Sequence, residues 1–102
     1  MAVPIEAVFA ITMYAVGCDV KHDSLTKMGT VPTYSFTVAA DPEVLPMNSI
    51  IRIKGLGDYI VHDIGGKVKG NVIDIYMNDC GVARLWGRRH RTVKILYKAR
   101  GK

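Results

Sequence analysis

The stretch Asp58–Tyr76, D-Y-I-V-H-D-I-G-G-K-V-K-G-N-V-I-D-I-Y, sets the frame for the rest of the chain. Two runs rich in β-branched and aromatic residues, Tyr59 to Val61 and Val72 to Tyr76, flank a segment holding Gly65, Gly66 and Gly70 with Lys67 and Lys69. Strand formers on either side of a glycine-rich turn predict a β-hairpin, with the glycines supplying positions of positive φ. Each predicted strand carries one acid. Asp63 ends the first and Asp74 sits inside the second, between Ile73 and Ile75. An aspartate in apolar company must be partnered or shifted in its titration.

The same signals recur outward from this stretch. Val3 to Val16 forms a dense apolar run with β-favouring members, interrupted only by Glu6 and Thr12, and predicts one strand or two short ones. Val31 to Ala40 alternates Tyr34, Phe36, Val38 and Ala40 with Thr33, Ser35, Thr37 and Ala39, the period of a half-buried strand that delivers Asp41 to a turn at Pro42. Asp41 there is either a cleft residue or the acceptor of a local turn. Ile50 to Lys54 predicts a further strand. Asn78 or Asp79 can cap a short helix through Val82, Ala83, Leu85 and Trp86 that Gly87 ends, and Thr92 to Tyr97 predicts the last strand. Trp86 can anchor the core or offer its ring as a stacking face. Six or seven short strands and one helical turn predict an all-β fold, a small barrel.

The chain has 102 residues, 49% hydrophobic and 23% charged, as expected of one ordinary globular domain. Its core is expected over about residues 12–97, with a basic tail at 98–102. No apolar run approaches the roughly 20 residues of a membrane helix, and no secretion signal is visible in the sequence as given. Net charge is +5, and after Asp79 there are eight Lys or Arg and no acid. Such a segment suits a polyanion or a solvated face; without a nucleic-acid-binding signature, nucleic acid is not expected. Cys18 and Cys80, the only cysteines, are either bridged or free thiols. The polar loop Gly17 to Thr30 contains His22, Asp23 and Ser24, whose adjacency does not make a triad. His22, His62 and His90 lack metal-ligand spacing, so neither metal nor cofactor is expected.

Three segments carry a resemblance to a known family: A-A-D-P-E-V-L-P at Ala39–Pro46, G-L-G-D-Y-I-V-H-D-I-G-G-K-V-K-G-N-V-I-D-I-Y at Gly55–Tyr76, and A-R-L-W-G at Ala83–Gly87. Together with T-K-M-G-T at Thr26–Thr30, they resemble the bacterial 3D domain, named for three aspartates that fall here on Asp41, Asp63 and Asp74. The resemblance implies a double-psi β-barrel, the fold shared with the catalytic domain of membrane-bound lytic transglycosylase A. It also implies kinship with cell-wall proteins of Firmicutes, and so an extracellular or wall location. Departures from the family pattern occur at Ser35, Asn48-Ser49, His62 and Lys67.

By that resemblance the expected reaction is lytic transglycosylation of peptidoglycan. The MurNAc–GlcNAc β-1,4 bond is cut and 1,6-anhydro-MurNAc is formed, so one residue can serve first as acid and then as base. Asp74 is the expected proton carrier, Asp63 its supporting neighbour, and Asp41 a hydrogen-bonding residue at the cleft edge. Thr30, Tyr34, Gly65, Gly66, Lys67 and Lys69 are expected to bind the glycan, the lysines meeting its carboxylates. The rival readings are a non-catalytic polysaccharide-binding module and, from D-I-G-G, an aspartic-protease half-site that would need a dimer. The chain itself is expected to be a monomer or a dimer.

Overall fold

Residues 6–15 and 25–100 are described by the structure, a computed structural model. Cys18 and the loop residues His22, Asp23 and Ser24 lie outside the described residues. The first apolar run forms one strand, β1 (Glu6–Tyr14), and four more follow: β2 (Thr37–Ala40), β3 (Ile50–Ile53), β4 (Gly57–Asp63) and β5 (Val72–Tyr76). Helix α1 (Cys80–Trp86) and strand β6 (Arg89–Tyr97) complete the chain, β6 beginning three residues before the expected Thr92.

The six strands close into a barrel in the order β1-β5-β2-β4-β3-β6. Two parallel pairs, β1–β5 and β2–β4, are joined through the antiparallel pair β2–β5. The period-two patterns place Ile73 and Ile75 of β5, Val38 and Ala40 of β2 and Ile51 and Ile53 of β3 in the core, all at 1% exposure or less. Closure leaves the barrel without a free sheet edge among the described strands.

The structure corrects the predicted hairpin, because β4 and β5 do not pair. Strand β2 lies between them, parallel to β4 and antiparallel to β5. The eight residues from Ile64 to Asn71 are long enough to step over a strand, and the apolar pattern that marks both strands carries no information on which neighbour each takes. The true hairpin is β3–β4, turned at Gly55 (φ 83) with Gly57 (φ 114) opening β4. Gly65 and Gly66 also differ from expectation, since neither has positive φ; in the β4–β5 crossing only Gly70 does, at φ 70. Gly65 is needed for space instead. A Cβ there would stand 2.8 Å from Cγ2 of Val68, which is buried at 7% exposure.

Strand β2 is shorter than the predicted Val31–Ala40. The Thr33 carbonyl accepts from Phe36 N and Thr37 N, and Thr33 N donates to Thr37 Oγ1 at 2.9 Å, so local turn bonds displace the strand up to Phe36. Ser35 inside this turn has φ 66, and Asn48 in the β2–β3 loop has φ 76. Two of the family departures thus sit where the backbone is left-handed. Asn tolerates this conformation; Ser is strained there by about 1–2 kcal/mol, against about 0.5–1 kcal/mol of extra chain entropy that Gly loses on folding. Ser35→Gly is therefore expected to stabilise by about 0.5–1 kcal/mol, raising the thermal midpoint by a few degrees. A lowered midpoint would contradict this. Ser49, the next departure, is buried, and its hydroxyl accepts from Ala99 N at 3.0 Å, tying the chain after β6 to the β2–β3 loop.

Helix α1 ends as the sequence predicts, with Asp79 as N-cap accepting from Val82 N and Gly87 (φ 66) after its last residue. Seven residues make a helix too short to persist alone, so packing must hold it. Trp86 packs against the core and donates its indole N–H to the Ile11 carbonyl at 2.7 Å. Arg89 lies 4.2 Å and Arg91 5.3 Å from the Trp86 ring centre. Of the two roles open to Trp86, the structure shows the core anchor.

Candidate active site

Strand register brings two of the three aspartates into one row. Thr12 of β1 pairs with Asp74 of β5, Asp74 pairs with Ala39 of β2, and Ala39 pairs with Asp63 of β4. Directly paired residues project to the same face of a sheet. The acids therefore lie two strands apart, with backbones about 10 Å from one another. The residue between them is an alanine at 3% exposure. A bulge between Val38 and Ala39 sets the register that brings Asp63 into the row.

Asp74 is half-buried, and its Oδ1 accepts from the Thr12 hydroxyl at 2.8 Å. Burial, partly opposed by the Thr12 donor and assisted by the negative charge of Asp63, pushes its carboxyl up to about 6. An acid with such a value holds its proton in mildly acidic solution and can give it away near neutrality. Asp63 is held differently. Its Oδ1 accepts from Lys27 N at 3.0 Å and Ile64 N at 2.9 Å, and its Oδ2 from the Tyr14 hydroxyl at 3.3 Å. Burial, then Asp63, then Asp74 push the Tyr14 phenol far above its ordinary range, so it stays protonated and acts as a donor. Its ring meets Tyr76 edge-on at 5.6 Å.

Thr12 and Tyr14 are the site residues the sequence reading missed, having been absorbed into an apolar run. The available signal was two hydroxyl side chains at positions i and i+2 of one strand, which places both on the face opposite Phe9 and Ile11.

Asp41 stands apart from this pair. Its Oδ2 accepts from Gly70 N at 2.8 Å and its Oδ1 from Glu43 N at 3.0 Å. The Gly70 amide foremost, and then that of Glu43, hold its carboxyl below its ordinary value. Asp41 follows β2, and Gly70 belongs to the crossing that steps over β2, so this bond fastens the crossing to the strand it passes. Thr30 shares a 3.2 Å hydrogen bond between its Oγ1 and Nδ1 of His62, and meets the Thr26 hydroxyl at 2.7 Å. It thereby docks the segment that carries Lys27 N to Asp63. Tyr34 is exposed on the turn before β2 and neighbours Tyr59. Gly66, Lys67 and Lys69 are exposed on the crossing, with Lys69 near enough to Asp41 to act on its charge.

Cys80, the first residue of α1, is disulfide-bonded. A surface depression of about 310 Å³ lies away from the acids, lined by Glu6, Arg52, Lys54, Thr92 and Lys94. Across the strands there, Glu6 pairs with Lys94, Lys94 with Arg52, and Arg52 with Asp58, so two cations lie between two acids. Arg52 and Asp58 form a 2.7 Å ion pair. That depression is lined by three cations and a single acid, so the row holding two carboxyls is the better candidate for acid–base chemistry.

The architecture is that of a closed, six-stranded mixed β-barrel domain with one short helix. The 3D domain family model matches residues 36–97, and the chain belongs to that family. All three aspartates fall in the matched part, whereas Thr12 and Tyr14 precede it. The chain is 37% identical over 59 residues to the cell wall-binding protein YocH and, equally, to the putative cell wall shaping protein YabE, both of Bacillus subtilis. Each match covers 58% of this chain, but only 21% of YocH and 14% of YabE. Among solved structures, MltA from Escherichia coli, described as a lytic transglycosylase fold, superposes with a TM-score of 0.63 at 19% identity, over 80% of this chain and 30% of that one. The lytic transglycosylase LtgG of Burkholderia pseudomallei gives 0.53 at 17% identity, over 70% and 25%. Likeness at these identities shows a shared fold.

Proposed function

We propose that this chain is a peptidoglycan lytic transglycosylase acting outside the cell or in the wall. The observation that carries the reading is Asp74: a half-buried carboxyl raised to about 6, in register with Thr12 and, two strands away in the same row, with Asp63. The cell-wall names of the Bacillus relatives and the fold shared with MltA support the choice of polymer.

In this reading Asp74 gives its proton to the glycosidic oxygen as the bond from the MurNAc anomeric carbon to that oxygen breaks. The C6 hydroxyl of the same MurNAc then bonds to the anomeric carbon, and its proton returns to Asp74. No water is consumed, and one carboxyl serves as acid and then as base. Thr12 fixes the orientation of Asp74, and Tyr14 with the Lys27 and Ile64 amides fixes Asp63, whose charge opposes ionisation of Asp74. Asp41 holds the crossing that frames the cleft and touches neither acid.

The reactive form is protonated Asp74, so kcat/KM is expected to fall as pH rises through about 6. Asp63→Asn removes a negative charge that raises Asp74, and so should move this limb to lower pH. The movement should be small, because burial and the Thr12 bond act more strongly on Asp74 than Asp63 does. A limb that stays put or moves to higher pH would count against the assigned roles.

A second reading, a peptidoglycan-binding module without turnover, is favoured by the description of YocH as a cell wall-binding protein. Product analysis on purified sacculi separates the two, because only the enzyme leaves anhydro ends.

A further inference from the structure

Tyr14 bridges the space between the two acids. It stands two residues after Thr12 on the same face of β1 and pairs with Tyr76, one row along from the Thr12–Asp74 pair. Its hydroxyl nevertheless reaches Asp63 Oδ2 of β4, at 3.3 Å. In the order β1-β5-β2-β4 that is the third strand away, about 14 Å along the sheet. The side chain therefore lies across β5 and β2, where the row carries Ala39, small and 3% exposed. Both Asp63 and Asp74 act on the charge of the phenol, which places its hydroxyl in the gap between them.

Asp63 is close to its full complement of donors. It accepts from Lys27 N, Ile64 N and the Tyr14 hydroxyl, three donors for a carboxylate that offers about four lone-pair sites. Burial, then Asp63, then Asp74 keep the phenol proton on its oxygen, and the bond to Asp63 directs it. The oxygen retains lone pairs of its own, and donation to a charged carboxylate polarises it into a stronger acceptor. A group seated between the acids thus meets an acceptor at Tyr14, and an N–H or O–H matches it. A MurNAc unit inside a glycan strand has few donors, because C1 and C4 lie in glycosidic bonds and C3 carries the lactyl ether. Two remain on the sugar: the C6 hydroxyl, which is the nucleophile of the proposed reaction, and the N–H of the 2-acetamido group.

We propose that Tyr14 is a substrate-binding residue whose phenol oxygen accepts a hydrogen bond from the 2-acetamido N–H of the MurNAc unit held over the acid row. The proposal rests on the cleft taking peptidoglycan. It separates the two donors of that sugar, the N–H going to Tyr14 and the C6 hydroxyl being left for Asp74. It also makes the site selective for sugars with a donor at C2.

The test is a binding cycle without turnover. Asp74→Asn protein, with and without the added change Tyr14→Phe, is titrated with a synthetic tetrasaccharide of alternating GlcNAc and MurNAc. The same titrations are made with an analogue in which an ester oxygen replaces the acetamide N–H of each MurNAc. Tyr14→Phe keeps the ring and its edge-on contact with Tyr76, so the barrel is expected to fold. With Tyr14 present, the analogue should bind about five- to ten-fold more weakly than the tetrasaccharide, the size of one hydrogen bond to a polarised acceptor. With Tyr14→Phe the two ligands should bind alike. An analogue that binds the Tyr14 protein as well as the tetrasaccharide does, or a penalty of the same size in both proteins, overturns the proposal, and so does the absence of binding by either ligand. If the unmutated protein releases no anhydro ends from sacculi while the penalty persists only with Tyr14, the transglycosylase reading fails and the Tyr14 contact stands.

Discussion

Asp74→Asn is expected to lower release of anhydro-muropeptides by about 10²–10⁴-fold, the range for loss of a positioned acid–base group. The same change is expected to make the domain more stable above pH 6. The Asp74 carboxyl titrates at about 6 when folded, against an ordinary value of 3.8. Between those values the folded protein binds the extra proton. Stability on this account is greatest below about pH 4, falls as pH rises to about 6, and stays reduced above that. The gap of about two pH units corresponds to roughly 3 kcal/mol, an upper figure because the variant must still seat an amide. Asn keeps an oxygen for the Thr12 hydroxyl, so the local bond survives. The variant's thermal midpoint should exceed that of the parent at pH 7.5, and the difference should shrink toward pH 4. A fully active variant would remove Asp74 from its role, and a variant less stable at pH 7.5 would contradict the origin assigned to its raised value.

Reduction of the Cys80 disulfide is expected to have the largest effect on stability. The other cysteine in the chain is Cys18, and a bridge between the two would close a loop of roughly 60 residues, contributing about 4 kcal/mol in the chain-entropy model. In a domain of this size such a change moves the thermal midpoint by well over 10 °C. The place of Cys80 adds to this. It opens a seven-residue helix with no fully buried residue, attached mainly through Trp86. Urea unfolding with and without reductant measures the contribution, and superimposable curves would refute it. The bridge also fits the oxidising surroundings of the extracellular or wall location proposed above.

The sequence revealed features whose signals are local. Asp79 and Gly87 bounded α1 because capping is a matter of neighbours along the chain. Isoleucines at alternate positions marked the core face of β5. The three aspartates were legible through the ordered segments around them. Pairing was not legible, since it depends on contacts distant in sequence: nothing in Asp58–Tyr76 reveals that β2 separates its two strands. For the same reason Thr12 and Tyr14, more than 45 residues from the acids they bond, passed as members of an apolar strand. Asp41 was recognised by its surroundings, yet its bond to Gly70 depends on a crossing that the hairpin reading excluded. Ser35 and Asn48 were visible as departures from a family pattern, and their positive φ supplies the physical meaning.

The central claim is that Asp74 drives an intramolecular cleavage of the glycan. Mass analysis of the ends released from purified sacculi by the protein, beside its Asp74→Asn variant, tests it most directly. The account predicts 1,6-anhydro-MurNAc ends from the parent and almost none from the variant. Reducing MurNAc ends, each heavier by one water, or no release from either protein, would contradict it.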